Sequence, residues 1–212
     1  MRRDLATTLA FVALLAAAPR VHAQSLRMSI GGSIGGHVAG STLMADGGTD
    51  GFVRFGHKSG VAGGGRVTLW TSARTAVELE GVANGAGVEY YAKLPNLAGA
   101  EVTRKGQIRI GSASVLWAFY KPPLEPIAMY LTLGAAMVQH KGDFFDDPEL
   151  KDSANDLGFV LGLGLRYGVA RGLYLRADAR DVISSYQASD RFEARKQHDL
   201  VSTVGLDLMV LQ

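Results

Sequence analysis

The sequence predicts an all-β protein, a closed barrel of eight antiparallel up-and-down strands, and three observations lead to this fold class. Apolar residues alternate with glycine and polar residues over several long segments, which is the period of strands with two unlike faces. The connections between these segments are alternately long and short. Helical periodicity over helix-length windows is missing.

The composition of the 212 residues limits the chemistry that the chain can perform. With 47% hydrophobic and 20% charged residues it is predicted to fold, and its length suits one domain. It contains no cysteine, which excludes disulfides, thiolate nucleophiles and cysteine-ligated metal sites. The formal net charge of +2 gives no reason to expect a nucleic acid as a partner.

Residues 1–23 are predicted to be a signal peptide, and residues 24–212 to form the barrel domain. Two arginines follow the first methionine, Leu5–Ala18 is an apolar stretch of signal-peptide length, and small residues precede a cleavage site between Ala23 and Gln24. The alternative is an N-terminal membrane anchor, but the apolar stretch is shorter than the roughly 20 residues that a spanning helix needs.

Eight strands are predicted, and an even number is what a closed up-and-down barrel needs. In chain order they span residues 25–39, 60–71, 75–86, 104–120, 126–140, 155–168, 173–185 and 198–211. Seven of them alternate, and the apolar members of these seven are Leu26 to Ile30, Val67 and Leu69, Val77 and Leu79, Ile127 to Met137, Leu157 to Tyr167, Leu173 to Ala179, and Val204 to Val210. In the predicted strand 104–120 both parities contain apolar residues, so its faces stay unassigned, and a bulge that switches the register is one explanation.

The lengths of the connections predict a membrane protein. The long ones are residues 40–59, 87–103, 141–154 and 186–197, and the short ones are residues 72–74, 121–125 and 169–172. Strict alternation places every long connection at one end of the barrel, as in transmembrane barrels with long extracellular loops and short periplasmic turns. A soluble sandwich has no reason to keep this order.

Alternation alone leaves open which face meets lipid, because a soluble periplasmic barrel that binds a small apolar ligand also alternates, with its apolar face inward. The less apolar face of this chain carries many glycines, among them Gly134, Gly158, Gly162 and Gly164. Glycine weakens a solvated strand, but in a narrow lumen it makes room for large neighbours. The glycine-rich face is therefore predicted to line the lumen of a transmembrane β-barrel.

The same face carries charges that are predicted to form a network inside the lumen. Its members are Arg66, Glu78, Glu80, Arg109, Arg166, Arg176, Asp178 and Asp207. Buried charges are costly unless they are paired, so a balanced lumen is expected.

Two hairpins predict partners within this network. A three-residue turn at residues 71–73 sets Arg66 opposite Glu78, and a turn at residues 72–74 sets it opposite Glu80. In the later hairpin, pairing Tyr167 with Leu173 sets Arg176 opposite Gly164 and Asp178 opposite Gly162, which places large charged groups across from absent side chains.

The phrase Leu161-Gly-Leu-Gly-Leu-Arg-Tyr167, running through a tight turn into Leu173-Tyr-Leu-Arg-Ala-Asp178, resembles the small eight-stranded outer-membrane β-barrels of the OmpX and OmpA-transmembrane-domain type. The resemblance covers nearly all of residues 24–212. It implies residence in the outer membrane of a Gram-negative envelope, contact with outer-membrane lipid and lipopolysaccharide, insertion by the barrel-assembly machinery, and no family-wide catalytic residues.

Candidate catalytic and metal-binding residues are few. Gly56-His57-Lys58-Ser59 resembles the His-x-Ser of outer-membrane lipid A deacylases, but no acid stands in the matching position. A lipid-modifying enzyme is thus an alternative, and a non-enzymatic protein without cofactor or metal is the prediction. His37 and His140 are expected to be hydrogen-bonded lumen residues rather than metal ligands.

The third long connection is acidic and is interpreted as a weak divalent-cation loop. Its candidate ligands are Asp143, Asp146, Asp147, Glu149 and Asp152. The spacing does not match an EF-hand. Together these features predict an outer-membrane protein with a side-chain-filled lumen and a structural, adhesive or loop-mediated binding role. A soluble periplasmic barrel with a small apolar ligand is the alternative.

Overall fold

The computed structural model describes residues 26–40, 42–48, 51–85, 87–93, 100–104, 106–121, 126–141, 155–186 and 195–211. The predicted signal peptide with its cleavage site at Ala23 and Gln24 lies outside the described residues, and so do the acidic candidates from Asp143 to Asp152. The described residues contain no helix long and apolar enough to cross a membrane.

Twelve strands lie within the described residues. They are β1 (Arg27–Ala39), β2 (Thr42–Gly48), β3 (Gly51–His57), β4 (Gly60–Trp70), β5 (Thr75–Asn84), β6 (Val88–Lys93), β7 (Ala100–Arg104), β8 (Gln107–Tyr120), β9 (Ile127–Lys141), β10 (Asn155–Ala170), β11 (Leu173–Tyr186) and β12 (Arg195–Leu211). Eight of them close a barrel in the order β1-β12-β11-β10-β9-β8-β5-β4, each antiparallel to its neighbours. The predicted closed eight-stranded barrel is confirmed.

The other four strands form a second sheet in the order β2-β3-β6-β7. Each continues a barrel strand beyond the long-connection end: β2 follows β1, β3 precedes β4, β6 follows β5, and β7 precedes β8. The order in the second sheet repeats the order β1-β4-β5-β8 of the barrel wall. One wall therefore extends past the barrel, and the interpretation of the described parts of residues 40–59 and 87–103 as loops was wrong, since they are mostly strands.

The apolar face of the barrel points outward. Leu157 is 73% exposed and Leu163 is 55% exposed, whereas Arg176 and Glu78 are each 1% exposed. Apolar outer surface and buried charge are the reverse of a soluble barrel. The prediction that the glycine-rich face lines the lumen is confirmed, and the soluble barrel with an apolar interior is excluded.

Strand β8 explains why its faces were ambiguous in the sequence. Its inward side chains keep one parity, with Ile108, Ile110, Leu116 and Ala118 all buried, so the expected bulge in mid-strand is absent and the only register shift in its pairing with β9 lies beyond Ala118. Apolar residues occupy both parities because this part of the lumen is itself apolar.

The turn between β10 and β11 differs from the predicted one. Arg171 and Gly172 make a two-residue turn, in which Gly172 adopts a φ of 77° that favours glycine. A bulge at Val169 then shifts the pairing by one residue. With this turn and bulge, Tyr167 lies opposite Leu175, whereas the predicted partner is Leu173.

Candidate functional site: the filled lumen

Side chains fill the lumen in layers. The inward side chains along β5 belong to successive layers. From the long-connection end they are Asn84, Val82, Glu80, Glu78 and Ala76, all buried. Polar groups therefore lie at the long-connection end, an apolar layer follows, and charges occupy the middle.

The middle is a charged layer of seven side chains. They are Arg66, Glu78, Glu80, Arg176, Asp178, Arg180 and Asp207, each at most 9% exposed. Within the described residues the layer opposes three guanidinium groups to four carboxylates. Buried charges of both signs in contact satisfy one another, as burial requires.

Two arginines bind the carboxylates at the centre of this layer. Arg176 donates from Nη2 to Glu78 Oε1 at 3.0 Å, and its Nε lies 2.9 Å from Asp178 Oδ2. Arg180 donates from Nη2 to Glu78 Oε1 at 2.7 Å and from Nη1 to Glu80. Each arginine thus contacts at least two carboxylates, which cross-links β5 to β11 through the lumen.

Arg66 joins a third strand to the layer. Its register partner is Glu80, as the turn at residues 72–74 predicts, yet Arg66 Nη1 lies 3.9 Å from Glu80 Oε1. The shorter bonds run from Arg66 Nε to Asp207 Oδ1 at 2.8 Å and from Nη1 to Asp178 Oδ2 at 3.4 Å. The main partner of Arg66 is therefore Asp207 on β12.

Neutral side chains also donate hydrogen bonds to the carboxylates of the charged layer. The Tyr130 hydroxyl donates to Asp178 Oδ1 at 2.7 Å, and the Thr68 hydroxyl donates to Glu78 Oε2 at 2.6 Å. Tyr130 occupies the space beside Gly164, where an added Cβ would lie 2.1 Å from the tyrosine ring. This glycine makes room for a large neighbour, as the composition of the inner face predicts.

Three details of the predicted network require correction. Arg109 is exposed on the outer face because Ile108 and Ile110 take the inward positions, and its Nε donates to Gln107 at 3.1 Å. The bulge in β10 places Asp178 opposite Gly164, while Arg176 lies opposite Arg166.

Arg180 and Arg166 also differ from their predicted roles in the network. Arg180, which is absent from the predicted network, lies opposite Gly162 and has the same parity as Arg176 and Asp178, so the sequence contains a signal for it. Arg166 is buried and, within the part of the chain that the structure describes, makes no ion pair with the charged layer; its guanidinium carbon lies 3.6 Å from the centre of the Tyr174 ring.

Above the charged layer lies an apolar layer. Its members are Ala62, Val82, Ile108, Ile110, Ala136, Val138, Val160, Val182 and Val201, which form one buried cluster. Side chains from β4, β5, β8, β9, β10, β11 and β12 meet there. The cluster thus brings apolar side chains from seven strands together inside the lumen.

Histidines occupy the long-connection end of the lumen. His37 Nε2 lies 2.9 Å from Asp199 Oδ1, and its Nδ1 contacts the Asn84 amide. The ring of His57, on β3 of the second sheet, stacks on His140 of the barrel with 5.1 Å between ring centres. His57 thus connects the extended sheet to the lumen.

His57 lies outside the barrel strands, and its surroundings favour the neutral ring. Burial, and after it the charges of His140 and His37, lower the pKa of His57 to about 3. Ser59, the other candidate of the His-x-Ser sequence, is exposed between β3 and β4.

Comparisons with known proteins agree with this architecture. OprG from Pseudomonas aeruginosa is 15% identical, with 90% of this chain and 98% of that chain aligned at a TM-score of 0.58. Neisserial surface protein A is 10% identical, with 87% and 99% aligned at a TM-score of 0.53. The N-terminal β-barrel domain of P. aeruginosa OprF is 10% identical, with 88% and 99% aligned at a TM-score of 0.51. At these identities the likeness concerns the fold alone.

A comparison with curated proteins found no match. The family description "Outer membrane protein beta-barrel domain" matches residues 7–207, which is most of the chain. The outward apolar face fits this location, since it provides the surface that lipid covers. The protein resides in the outer membrane, and the chain belongs to the outer membrane protein beta-barrel domain family.

Proposed function

We propose that the protein is a non-conducting, non-enzymatic barrel that presents its long-connection end at the cell surface as a binding structure. The observation that carries the proposal is the second sheet, which continues one barrel wall beyond the lumen. A sheet is a more rigid platform than separate loops, because each inner strand is hydrogen-bonded on both sides.

The filled lumen supports a role at the surface rather than in transport through the barrel. The charged layer and the apolar layer both cross the interior, and eight strands leave little space around them. Reconstitution in a planar lipid bilayer is expected to give no conductance steps. Reproducible steps would contradict the non-conducting role.

The proposed partners are lipopolysaccharide around the barrel and a ligand outside the cell. The acidic connection with Asp143, Asp146, Asp147, Glu149 and Asp152 would take part through divalent cations shared with lipopolysaccharide phosphates. The assembly machinery is the proposed partner during insertion. No cofactor or resident metal enters this proposal.

Orientation is tested by thiol labelling, which this chain allows because it contains no cysteine. Ser59→Cys at the long-connection end and Ala73→Cys in the first short turn each introduce a single thiol at an exposed position. A membrane-impermeant maleimide is expected to label Ser59→Cys on intact cells and Ala73→Cys only after lysis. The opposite pattern would overturn the proposed surface role.

A further inference from the structure

The short-turn end of the lumen holds hydrogen-bond donors without acceptors. Arg166 is 8% exposed, and its Nε and Nη2 have no hydrogen-bond partner among the described residues. Trp70 is 5% exposed, and its indole Nε1 likewise has none. Guanidinium and indole groups only donate hydrogen bonds, so neither side chain can accept a hydrogen bond from the other. Both therefore need an acceptor from elsewhere. Such groups are costly to bury unless an acceptor completes them.

The geometry of Arg166 suits an anion. Its guanidinium carbon lies 3.6 Å from the centre of the Tyr174 ring and 5.0 Å from the centre of the Trp70 ring. Aromatic rings against its faces hold the guanidinium in place by cation–π attraction. The N–H groups lie in the guanidinium plane, so stacking leaves the edge available for the paired hydrogen bonds that arginine makes to an oxyanion.

A cavity of about 540 Å³ opens at the same end of the barrel. It is lined by Arg27, Arg171, Met209 and Tyr174, and Tyr174 is the ring on which the Arg166 guanidinium rests. Ligand-sized space therefore borders the Tyr174 ring that the Arg166 guanidinium contacts.

Further positive charge gathers around this opening. Burial, and after it the charges of Arg27, Arg166 and Arg74, lower the pKa of Lys121, which lies just beyond the end of β8. Lys121 Nζ donates to the Ala73 carbonyl, which holds the ammonium at the rim.

The carboxylate that the strand register brings to this end is already engaged. Asp207 lies opposite Tyr174, but it accepts a hydrogen bond from Arg66 at 2.8 Å and lies 3.6 Å from Arg176 Nη1. Among the residues that the structure describes, the cations at this opening therefore exceed the carboxylates that could neutralise them.

We propose that the short-turn mouth of the barrel is a binding site for a phosphate group. Arg166 and Trp70 donate to its oxygens, and Arg27 and Lys121 contribute charge from the rim. A phosphate offers several acceptor oxygens to convergent donors, and arginine binds it in two-pronged fashion. The phosphate comes either from the headgroup of a phospholipid in the adjacent leaflet or from free phosphate in solution.

The two tryptophans supply a direct test, since Trp70 lies in the site and Trp117 is exposed on the lipid face. Their indole N–H signals are followed by ¹⁵N NMR in maltoside micelles, which contain no phosphate. Sodium phosphate is added at constant ionic strength, held with sodium chloride. The Trp70 signal is expected to shift to saturation while the Trp117 signal stays in place. Shifts of both signals that are equal and do not saturate would overturn the proposal.

Variants link the response to Arg166. Arg166→Gln is expected to raise the Kd for phosphate about tenfold or more, the effect of losing a charge-assisted hydrogen bond. Arg109→Gln removes an exposed cation from the opposite end and is expected to leave the Kd unchanged. If Arg166→Gln does not fold, Arg27→Gln at the rim replaces it, with an expected rise of about threefold. A Kd equal to that of the wild type in the folded variant would overturn the site.

The source of the phosphate is distinguished with a soluble short-chain phosphatidylglycerol in the same micelles. Saturation of the Trp70 signal at lower concentrations of this lipid than of inorganic phosphate would identify a headgroup. The reverse order would identify free phosphate. Saturation with neither probe would overturn the proposal, and it would leave the proposed surface role untouched because that role concerns the other end of the barrel.

Discussion

Arg66 illustrates how a residue's register partner and its main ionic partner come to differ. Its neighbour on β4–β5 is Glu80, whereas on the other side Gly31 of β1 stands between Arg66 and Asp207 of β12. Because Gly31 has no side chain, Arg66 reaches across β1 to Asp207. The sequence predicts register neighbours from hairpin parity, but it contains no local signal for a contact that spans an intervening strand.

Removal of Arg66 is expected to destabilise the barrel by about 3 kcal/mol, because Asp207 would remain buried without its main partner. Arg66→Ala should couple more strongly to Asp207→Ala than to Glu80→Ala, and Arg66→Met with Asp207→Leu should recover much of the loss. Urea unfolding in micelles measures these free energies. Arg109→Ala, the exposed control, should change the free energy by no more than about 0.5 kcal/mol. Equal coupling to Glu80 and Asp207 would contradict the assignment of partners.

Gly31 itself offers a second test at the residue scale. A Cβ at this position would lie 2.0 Å from Asp207 Oδ1 and 2.8 Å from the Leu206 carbonyl oxygen, so Gly31→Ala must displace the carboxylate from Arg66. We expect a loss of about 1–3 kcal/mol in urea unfolding. Gly36→Ala is the matched control on the same strand, since nothing lies within 4 Å of its added Cβ. Equal losses in the two variants would show that only backbone freedom matters.

At the scale of elements, the barrel strands were predictable and the second sheet was not. Alternation is a local pattern, so the predicted barrel strands agree with the observed ones to within a few residues. The sequence of β2, Thr-Leu-Met-Ala-Asp-Gly-Gly, does not alternate. The hairpins β2–β3 and β6–β7 are joined by the pairing of β3 with β6, which brings together residues far apart in sequence, such as Phe52 and Lys93. Likewise, the two-residue turn and the bulge at Val169 together move the β10–β11 register by two residues from the predicted pairing, which parity alone does not reveal.

The joint between the second sheet and the barrel is expected to weaken in acid. The pKa of His57 is about 3 in the folded protein and about 6.5 in an unfolded chain, so above pH 6.5 the ring is neutral in both states. As the pH falls from 6.5 towards 3 the unfolded state takes up the proton first, and stability is lost progressively. His140 and His37 face the ring, with Asp156 and Asp199 beside them.

Thermal unfolding followed by circular dichroism between pH 7.5 and pH 4 measures this loss. His57→Phe keeps an aromatic ring against His140 without a titrating group, so its melting temperature should fall less over this range. His198→Gln alters an exposed histidine and should keep the dependence of the wild type. Identical pH dependence in the wild type and in His57→Phe would exclude His57 as its source.

At the scale of the whole molecule, closure joins the first strand to the last. β1 pairs with β12 from Met28–Leu211 to Ala39–Asp199, so no edge strand is left in the barrel. An open sheet in lipid would leave unpaired backbone groups at several kcal/mol each, and closure removes that cost. The same closure confines the charged layer, in which bonds from β4, β5, β11 and β12 converge across the lumen.

Closure and the lumen bonds together are expected to make the barrel resist sodium dodecyl sulfate at room temperature. The detergent can replace lipid around the apolar face, but it does not reach backbone hydrogen bonds that have no free edge or ion pairs buried inside. Unboiled and boiled samples should therefore migrate differently on a gel, and the temperature of conversion should be lower for Arg66→Ala than for the exposed control Arg109→Ala. Identical migration of the wild type before and after boiling would mean that the barrel sheet opens readily in the detergent. If Arg66→Ala converts from the folded to the unfolded band at the same temperature as the wild type, backbone pairing alone maintains the closed state.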